Sequence, residues 1–191
     1  MMLVELLVGI VLMGIVAAIV LDGIVGGFHA QRTLQARGDA LTEVRTTAQR
    51  VLRQVREAAP VLKATKTELV VEHSDGAGGV LCVWWQLDTT GSRLTQRKST
   101  TANCPQASFA AAAPVISTID PTVLPFSYGK RTGWTAPTGS AVDSGTCIIS
   151  GYTPITFEPQ CVGTVTLSLS RTVPGHTPVV VTATADVRNP S

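Results

Sequence analysis

The amino-terminal part of the chain is a long apolar stretch with one acidic residue. Glu5 is the only charged residue between Met1 and Leu21, and the first proline of the chain is Pro60. About 20 helical residues, each rising ~1.5 Å, are enough to cross a bilayer. The stretch lacks the basic start and the A-x-A-type end of a usual secretory signal peptide. It therefore predicts one continuous helix from Met1 to Ala59 whose first half can span a membrane.

The second half of this predicted helix is amphipathic. Its apolar residues recur at steps of three, four and seven and form one stripe, as expected for a helix that packs on a folded body. The stripe consists of Leu34, Leu41, Val44, Ala48, Val51, Leu52 and Val55. Most arginines lie off the stripe, namely Arg32, Arg37, Arg45, Arg50, Arg53 and Arg56. We interpret them as a solvated face; the alternative is that some contact acids of neighbouring subunits.

Glu5 is unusual because no basic residue lies three or four positions from it. A carboxylate in an apolar environment is unfavourable without a partner, and an ionisable residue inside a membrane is a functional candidate. The alternative is an incidental charge near the helix end whose carboxylate reaches the membrane surface.

The segment Met1-Met2-Leu3-Val4-Glu5-Leu6-Leu7-Val8 resembles the start of mature type IV pilins and pseudopilins. Members of that family begin, after removal of a leader, with a hydrophobic residue and have a glutamate at the fifth position. The resemblance is specific from Met1 to about Val25 and is one of architecture alone as far as Ala59. Met1 replaces the phenylalanine of most members, which leaves open that it is an initiator residue.

The resemblance implies a route of assembly. A prepilin peptidase would remove a short basic leader and methylate the amino group of Met1, and Met1 and Glu5 would act in assembly. The subunit would first be a single-pass protein of the cytoplasmic membrane and then join a cell-surface filament, a fimbrium. The implied partners are other copies of the chain in a helical homopolymer, the prepilin peptidase, the inner-membrane assembly machinery and minor pilins.

Glycines interrupt the apolar stretch where many major pilins have a proline. Gly14, Gly23, Gly26 and Gly27 each cost about 1 kcal/mol relative to alanine in a helix interior. We expect this segment to be where the helix can stretch or locally melt. Gly23 and Gly27 also have the small-xxx-small spacing of close helix packing. The alternative is that glycines are simply common in membrane helices.

The body of the chain changes to a strand-like period. Residues 68–72 and 80–87 predict two strands around a glycine-rich turn, and residues 93–97 predict a third. This arrangement resembles the first strands of the sheet in minor pilins and in the larger minor pseudopilins of type II secretion. Residues 162–170 and 179–187 alternate and predict a closing β-hairpin.

The predicted fold class is α+β, in which a long N-terminal helix packs by its second half on a C-terminal antiparallel sheet. We expect three parts: residues 1–30 as the transmembrane and filament-core half of the helix, residues 31–59 as its amphipathic half, and residues 60–191 as a β-rich globular domain. Within that domain, residues 103–160 contain most of the prolines and predict an irregular, stapled region.

The four cysteines lie in the body, at Cys82, Cys104, Cys147 and Cys161. An even number without a C-x-x-C pair, and without histidine at zinc-ligand spacing, favours two disulfides over a metal site. We expect neighbours in sequence to pair, although four cysteines permit three pairings. The alternative is four buried free thiols.

Neither the composition nor the motifs indicate catalysis. The net charge is only +2 and charged residues make up 15% of the chain, so general nucleic-acid binding is not expected. No phosphate loop, nucleophile elbow or metalloprotease motif occurs, and we expect no cofactor and no metal. Two weaker signals are an adhesive surface at Trp84, Trp85 and Trp134, and a DNA contact at Lys130-Arg131 near Tyr128.

The leading hypothesis is thus a structural subunit of a type IV pilus-like filament that polymerises through its hydrophobic helix. The alternatives are a minor pseudopilin of a type II secretion system and a membrane-anchored adhesin or binding module. Motility, adhesion and DNA uptake are not distinguished at this level.

Overall fold

The computed structural model describes residues 3–58, 61–74, 76, 78–102, 104–136, 142, 147–149 and 156–187. For residues 3–6, 149 and 156 it describes the backbone alone. The chain divides into two compact units, Met1–Asp39 and Ala40–Ser191.

One helix, α1, spans Leu3–Glu57 without a break and contributes to both units. It is 55 residues long, in agreement with the single long helix expected from the absence of proline. The N–H of Ala58 donates to the carbonyl of Val55 at 3.3 Å, which tightens the end of the helix. Arg56 lies in the last turn, where a positive charge is favourable beside the exposed carbonyls.

The second unit contains two antiparallel sheets. The larger sheet has the strand order β5-β4-β3-β2-β1-β8-β7, so its first five strands form a meander. These strands are β1 (Val61–Thr65), β2 (Glu68–Ser74), β3 (Val80–Asp88), β4 (Arg93–Ser99), β5 (Ala113–Ser117), β7 (Ile148–Ile149) and β8 (Thr156–Phe157). The smaller sheet has the order β10-β9-β6 and consists of β6 (Phe126–Lys130), β9 (Val162–Val173) and β10 (His176–Asp186).

One hydrophobic core joins the end of α1 to both sheets. The helix contributes Val44, Ala48, Val51, Leu52 and Val55, each at most 4% exposed. The sheets contribute Leu69, Val71, Val83, Trp85, Leu87, Leu94, Phe126, Val165, Leu167 and Leu169. The fold is therefore α+β, with the second half of a long helix packed on antiparallel sheets, an architecture like that of pilins.

The apolar stripe of the helix is shorter than the sequence pattern predicts. Leu34 is 71% exposed and Leu41 only half-buried, whereas every stripe residue from Val44 onward is buried. Periodicity alone does not show where a helix meets its body, and here the core begins at Ala40. The six arginines predicted to form a solvated face are all exposed.

Polar contacts also fix the helix on the larger sheet. The Trp85 Nε1–H donates to Gln54 Oε1 at 2.9 Å, and Gln96 Nε2 approaches the same oxygen at 3.3 Å. Arg50 Nη2 donates to Gln96 Oε1 at 2.8 Å. An ion pair joins Glu43 of the helix to Arg171 of β9, so both sheets have a polar contact with α1.

The predicted strands within residues 68–97 and the closing hairpin are confirmed, although the hairpin turn is tighter than expected. Val173 pairs with His176, so only Pro174 and Gly175 form the turn. Gly175 has a φ of +76°, which a proline-glycine turn of type II requires at its second central residue.

The interpretation of residues 103–160 as irregular is wrong in part, because this region contains four short strands, β5 to β8. β1 was also not predicted. These strands have two to five residues, too few for a local period to be visible, and their conformation depends on pairing with neighbouring strands of the sheets. β5 tolerates Pro114 because it lies at the edge of the larger sheet.

Candidate functional site on the N-terminal helix

The first half of α1 is an exposed and largely apolar surface, which we call the apolar segment, residues 7–28; Asp22 is its one charged residue. Every side chain in it is exposed, including those at its two ends, Leu7 at 56% and Phe28 at 61%. By length and composition this helix could cross a membrane. Its most apolar 18-residue window has a mean hydropathy of 2.6, and none of that window is buried. The 22 residues span about 33 Å at 1.5 Å each, close to the ~30 Å hydrocarbon core of a bilayer. An apolar surface of this extent indicates a lipid or protein partner.

The glycines of the apolar segment have no steric explanation within the described chain. A Cβ placed on Gly14, Gly23, Gly26 or Gly27 would meet nothing within 4 Å beyond the local helix backbone. The helix nevertheless continues through all four positions without a break. Glycine thus lowers helix stability here, and no contact with the described residues requires a glycine at these positions. The expected flexibility of this segment stays a prediction.

The two predicted assembly residues lie at the very start of the chain. Met1, the predicted methylation site, lies outside the described residues. Glu5 lies in the first described turn of α1, two residues before the apolar segment, and its side chain is outside the part that the structure describes. The assembly roles of Met1 and Glu5 stay predictions.

Both disulfides are present, with the pairing of sequence neighbours that the spacing favoured. Cys82 of β3 is bonded to Cys104, and Cys147 is bonded to Cys161. Cys104 and Cys147 have φ values of +48° and +61°, in the left-handed region that non-glycine residues rarely adopt. The bridges therefore anchor two turns whose backbone is locally strained.

A metal site at the first bridge is excluded by its chemistry. Glu72, Cys82 and Cys104 place one potential ligand atom each within 4.8 Å of one another. The two sulfurs are bonded to each other, however, and only a thiolate is an effective metal ligand.

The aromatic residues behind the two weaker signals are mainly packing residues. Trp84 and Trp85 are 4% and 0% exposed, and Trp134 packs partly against the core. Tyr128, beside the Lys130-Arg131 pair, donates its hydroxyl to the carbonyl of Thr65 at 2.8 Å, and burial raises its pKa well above the usual value. Tyr128 is thus half-buried against the core, and its hydroxyl donates to a backbone carbonyl.

No protein-family model matches the sequence, and no curated protein matches it significantly. The family resemblance therefore depends on the first residues of the chain and on the helix-on-sheet architecture. The candidate site is the exposed apolar segment that precedes a separately packed, disulfide-bonded unit.

Proposed function

We propose that this protein is a structural subunit of a type IV pilus-like filament and that it polymerises through its N-terminal hydrophobic helix. The single observation on which the proposal depends is the complete exposure of the apolar segment. Such a surface is stable in lipid, and it is equally stable against other apolar helices once water and lipid are excluded. A filament subunit needs both environments in succession, membrane first and bundle afterwards.

The distribution of the core supports this role. The buried residues of α1 begin at Ala40, and the second unit has its own hydrophobic core and two disulfides. No described side chain of residues 7–39 belongs to that core. A polymer can use the apolar segment for contacts between subunits while each second unit stays folded.

The glycines fit the same role. Gly23 and Gly27 are one helical turn apart, and small residues at that spacing allow two helices to approach closely. An apolar anchor that only crosses a membrane has no need of them, and alanine or leucine would give a more stable helix.

The disulfides support a location outside the cytosol. All four cysteines are paired, and disulfides persist chiefly in oxidising compartments such as the periplasm and the cell surface. This agrees with a subunit whose apolar segment lies in the cytoplasmic membrane and whose second unit is exported.

The proposed mechanism of assembly is a charge pair between neighbouring subunits. In this mechanism the carboxylate of Glu5 pairs with the protonated amine of Met1 on the next subunit, with Met1 as the processed terminus. Each charge alone is unfavourable in an apolar bundle, and the pair relieves both. The pairing would also set the axial register, because apolar helices alone slide past one another with little penalty.

The test is to image surface material sheared from producing cells and to identify its main band by intact mass. We expect helical filaments composed of this chain, with a methylated Met1. If the chain remains in the membrane fraction as a monomer and no filament contains it, the proposal is wrong and an anchored binding module is the better interpretation. If this chain is instead required for export of other proteins and forms only short periplasmic filaments, it is a type II secretion pseudopilin.

A further inference from the structure

Asp22 is the one charged residue of the apolar segment, and its side chain is exposed. No ion pair among the described residues includes it. The helix itself offers no cation, because the residues three and four positions away are apolar, namely Ala18, Ile19, Val25 and Gly26. An ionisable residue inside a membrane span calls for a functional explanation and a partner.

The position of Asp22 is tolerable in a membrane and unfavourable in a bundle of helices. Asp22 lies six residues before Phe28, about 9 Å from the end of the apolar segment, where a charge is closer to water than at the bilayer centre. Once other apolar helices surround the segment, water no longer reaches the carboxylate, and an unpaired charge there is strongly unfavourable. Assembly therefore needs a cation beside Asp22 that the single subunit does not supply.

Arg32 is the first lysine or arginine of the chain, and it is exposed. The ion pairs formed by the described residues do not use it. It lies ten residues from Asp22, about 15 Å along α1, so the two side chains of one chain do not meet. His29 lies nearer, but an imidazole is ordinarily neutral at pH 7.

A parallel neighbour displaced along the helix by about 15 Å brings its own Arg32 level with Asp22. Subunits inserted in one membrane with the same orientation are parallel, so this displacement is available to them. It leaves 12 of the 22 residues of the two apolar segments side by side. Gly26 lies one turn after Asp22 on the same face, and a Cβ placed on it would meet nothing within 4 Å beyond the local helix backbone. A neighbouring helix can therefore approach this face closely.

We propose that Asp22 forms an ion pair with Arg32 of a second copy of this chain, and that the pair sets the axial displacement between the two copies. A guanidinium suits this role because it is always charged and can bind a carboxylate through two parallel hydrogen bonds. The inference rests on the proposed function, because it requires the apolar segments of two copies to be in contact. A pair between Glu5 and Met1 implies a displacement of only about 6 Å, so it would involve a different neighbour in a helical polymer.

Cysteine cross-linking in producing cells tests the contact directly. A chain with Asp22→Cys and Arg32→Cys should form covalent ladders of three or more subunits under mild oxidation, because each copy then reaches two neighbours. Both charges are removed together, so neither is left unpaired. Within one chain the two positions are about 15 Å apart, beyond the ~7 Å between Cα atoms that a disulfide can bridge. The matched control, Asp22→Cys with Arg45→Cys, should form nothing larger than a dimer.

Neutralising substitutions test the charge pair by the ratio of sheared filament to subunit in the membrane. Arg32→Gln leaves Asp22 unpaired in the bundle and should lower this ratio at least about tenfold. Adding Asp22→Asn removes the unpaired charge and should restore the ratio to within about threefold of the parent chain. Arg45→Gln changes an exposed arginine of the same helix and should stay within about twofold. An Arg32→Gln chain that assembles like the Arg45→Gln chain, or that Asp22→Asn does not rescue, would overturn the proposal.

The two experiments separate this inference from the proposed function. Filaments of the parent chain without a ladder from the double-cysteine chain would overturn the Asp22 contact and leave the filament function standing. A ladder in the membrane without filaments would support the contact between copies and contradict the filament function. The absence of both would overturn both.

Discussion

At the scale of single residues, Gln54 is the polar partner that the buried Trp85 requires. Trp85 is 0% exposed, and its indole N–H donates to Gln54 Oε1 at 2.9 Å. The oxygen is supplied from the helix and the donor from β3, so one hydrogen bond joins the two elements across the core. Arg50 adds a second contact, because its guanidinium lies 5.9 Å from the Trp85 ring centroid.

Gln54→Ala should therefore destabilise the second unit. The substitution leaves the indole N–H of Trp85 without its acceptor, and an unsatisfied buried donor costs about 1–3 kcal/mol. Thermal unfolding followed by near-ultraviolet circular dichroism measures the loss. Gln49→Ala is the matched control, since Gln49 is exposed on the same helix and should change stability by less than about 0.5 kcal/mol. Equal stability of the two variants would mean that Trp85 finds another acceptor.

Glu5→Ala should largely abolish filaments while the subunit is still processed and inserted in the membrane. A free α-amino group ordinarily has a pKa of about 8 and is mostly protonated at neutral pH. Without the Glu5 carboxylate, the charged amine of the neighbouring Met1 would enter the apolar bundle unpaired. Glu5→Asp, one methylene shorter, should reduce assembly less. The measurement is the amount of sheared filament relative to subunit in the membrane.

Glu57→Ala is the control for this experiment, because Glu57 is an exposed acid on the same helix and pairs with Arg53 four residues away. It should leave filament yield near that of the parent chain. If correctly processed Glu5→Ala subunits form as much filament as the parent chain, Glu5 is only an incidental charge near the helix end.

At the scale of elements, long periodic segments were predictable and short ones were not. The helix followed from the absence of proline, and β9 and β10 followed from the alternation of residues 162–170 and 179–187. β7 and β8 have two residues each and owe their conformation to pairing with each other and with β1. A local pattern contains no information about such partners.

The candidate site was predictable to a similar degree. The apolar segment is visible directly in the sequence. The pairing of cysteines that are neighbours in sequence was expected, although two other pairings were possible, and it is confirmed. The start of the core at Ala40 was not predictable, because Leu34 and Val44 occupy the same stripe and differ only in what packs against them. The burial of Trp84 was missed for a related reason. Its surroundings come from neighbouring strands and from the loop that contains Phe109, which the strand register and the first disulfide bring together.

The first disulfide should stabilise the loop that leads from Cys104 to Phe109, whose ring packs edge-on against Trp84. Cys82 and Cys104 are 22 residues apart, and closing such a loop contributes about 3 kcal/mol in the chain-entropy model. The double substitution Cys82→Ala with Cys104→Ala should lower the free energy of unfolding by about that amount. It should also open the cover of Trp84.

Tryptophan fluorescence and urea unfolding measure the two effects. The emission of the variant should shift to longer wavelength before global unfolding, because Trp84 gains access to water. The matched control is the double substitution Cys147→Ala with Cys161→Ala. It removes the second bridge, whose cysteines are 14 residues apart and close a loop of comparable length. It should show a similar loss of stability, about 3 kcal/mol, without the early shift. An early shift of equal size in both variants would contradict the assignment of the first bridge to the Trp84 loop.

At the scale of the whole molecule, we propose that folding and assembly use different stretches of one helix. The apolar segment has no buried side chain, whereas the part from Ala40 to Val55 supplies one side of the core. Deletion from the amino terminus should therefore have little effect on stability until it reaches Ala40.

Three truncated chains test this division. Chains that begin at Gln31 or at Ala40 should be soluble, monomeric and equally stable, because both retain every buried residue of α1. A chain that begins at Gln49 lacks Ala40, Val44, Thr47 and Ala48, which are 0–5% exposed. Its free energy of unfolding should therefore be lower by several kcal/mol. The measurements are sedimentation velocity for the association state and urea unfolding for stability. If the chain beginning at Gln31 fails to fold, the apolar segment contributes to the core and is not a surface reserved for other subunits. If all three chains are equally stable, the helix is not needed to close the core of the second unit, and the burial of Val44 has no energetic consequence.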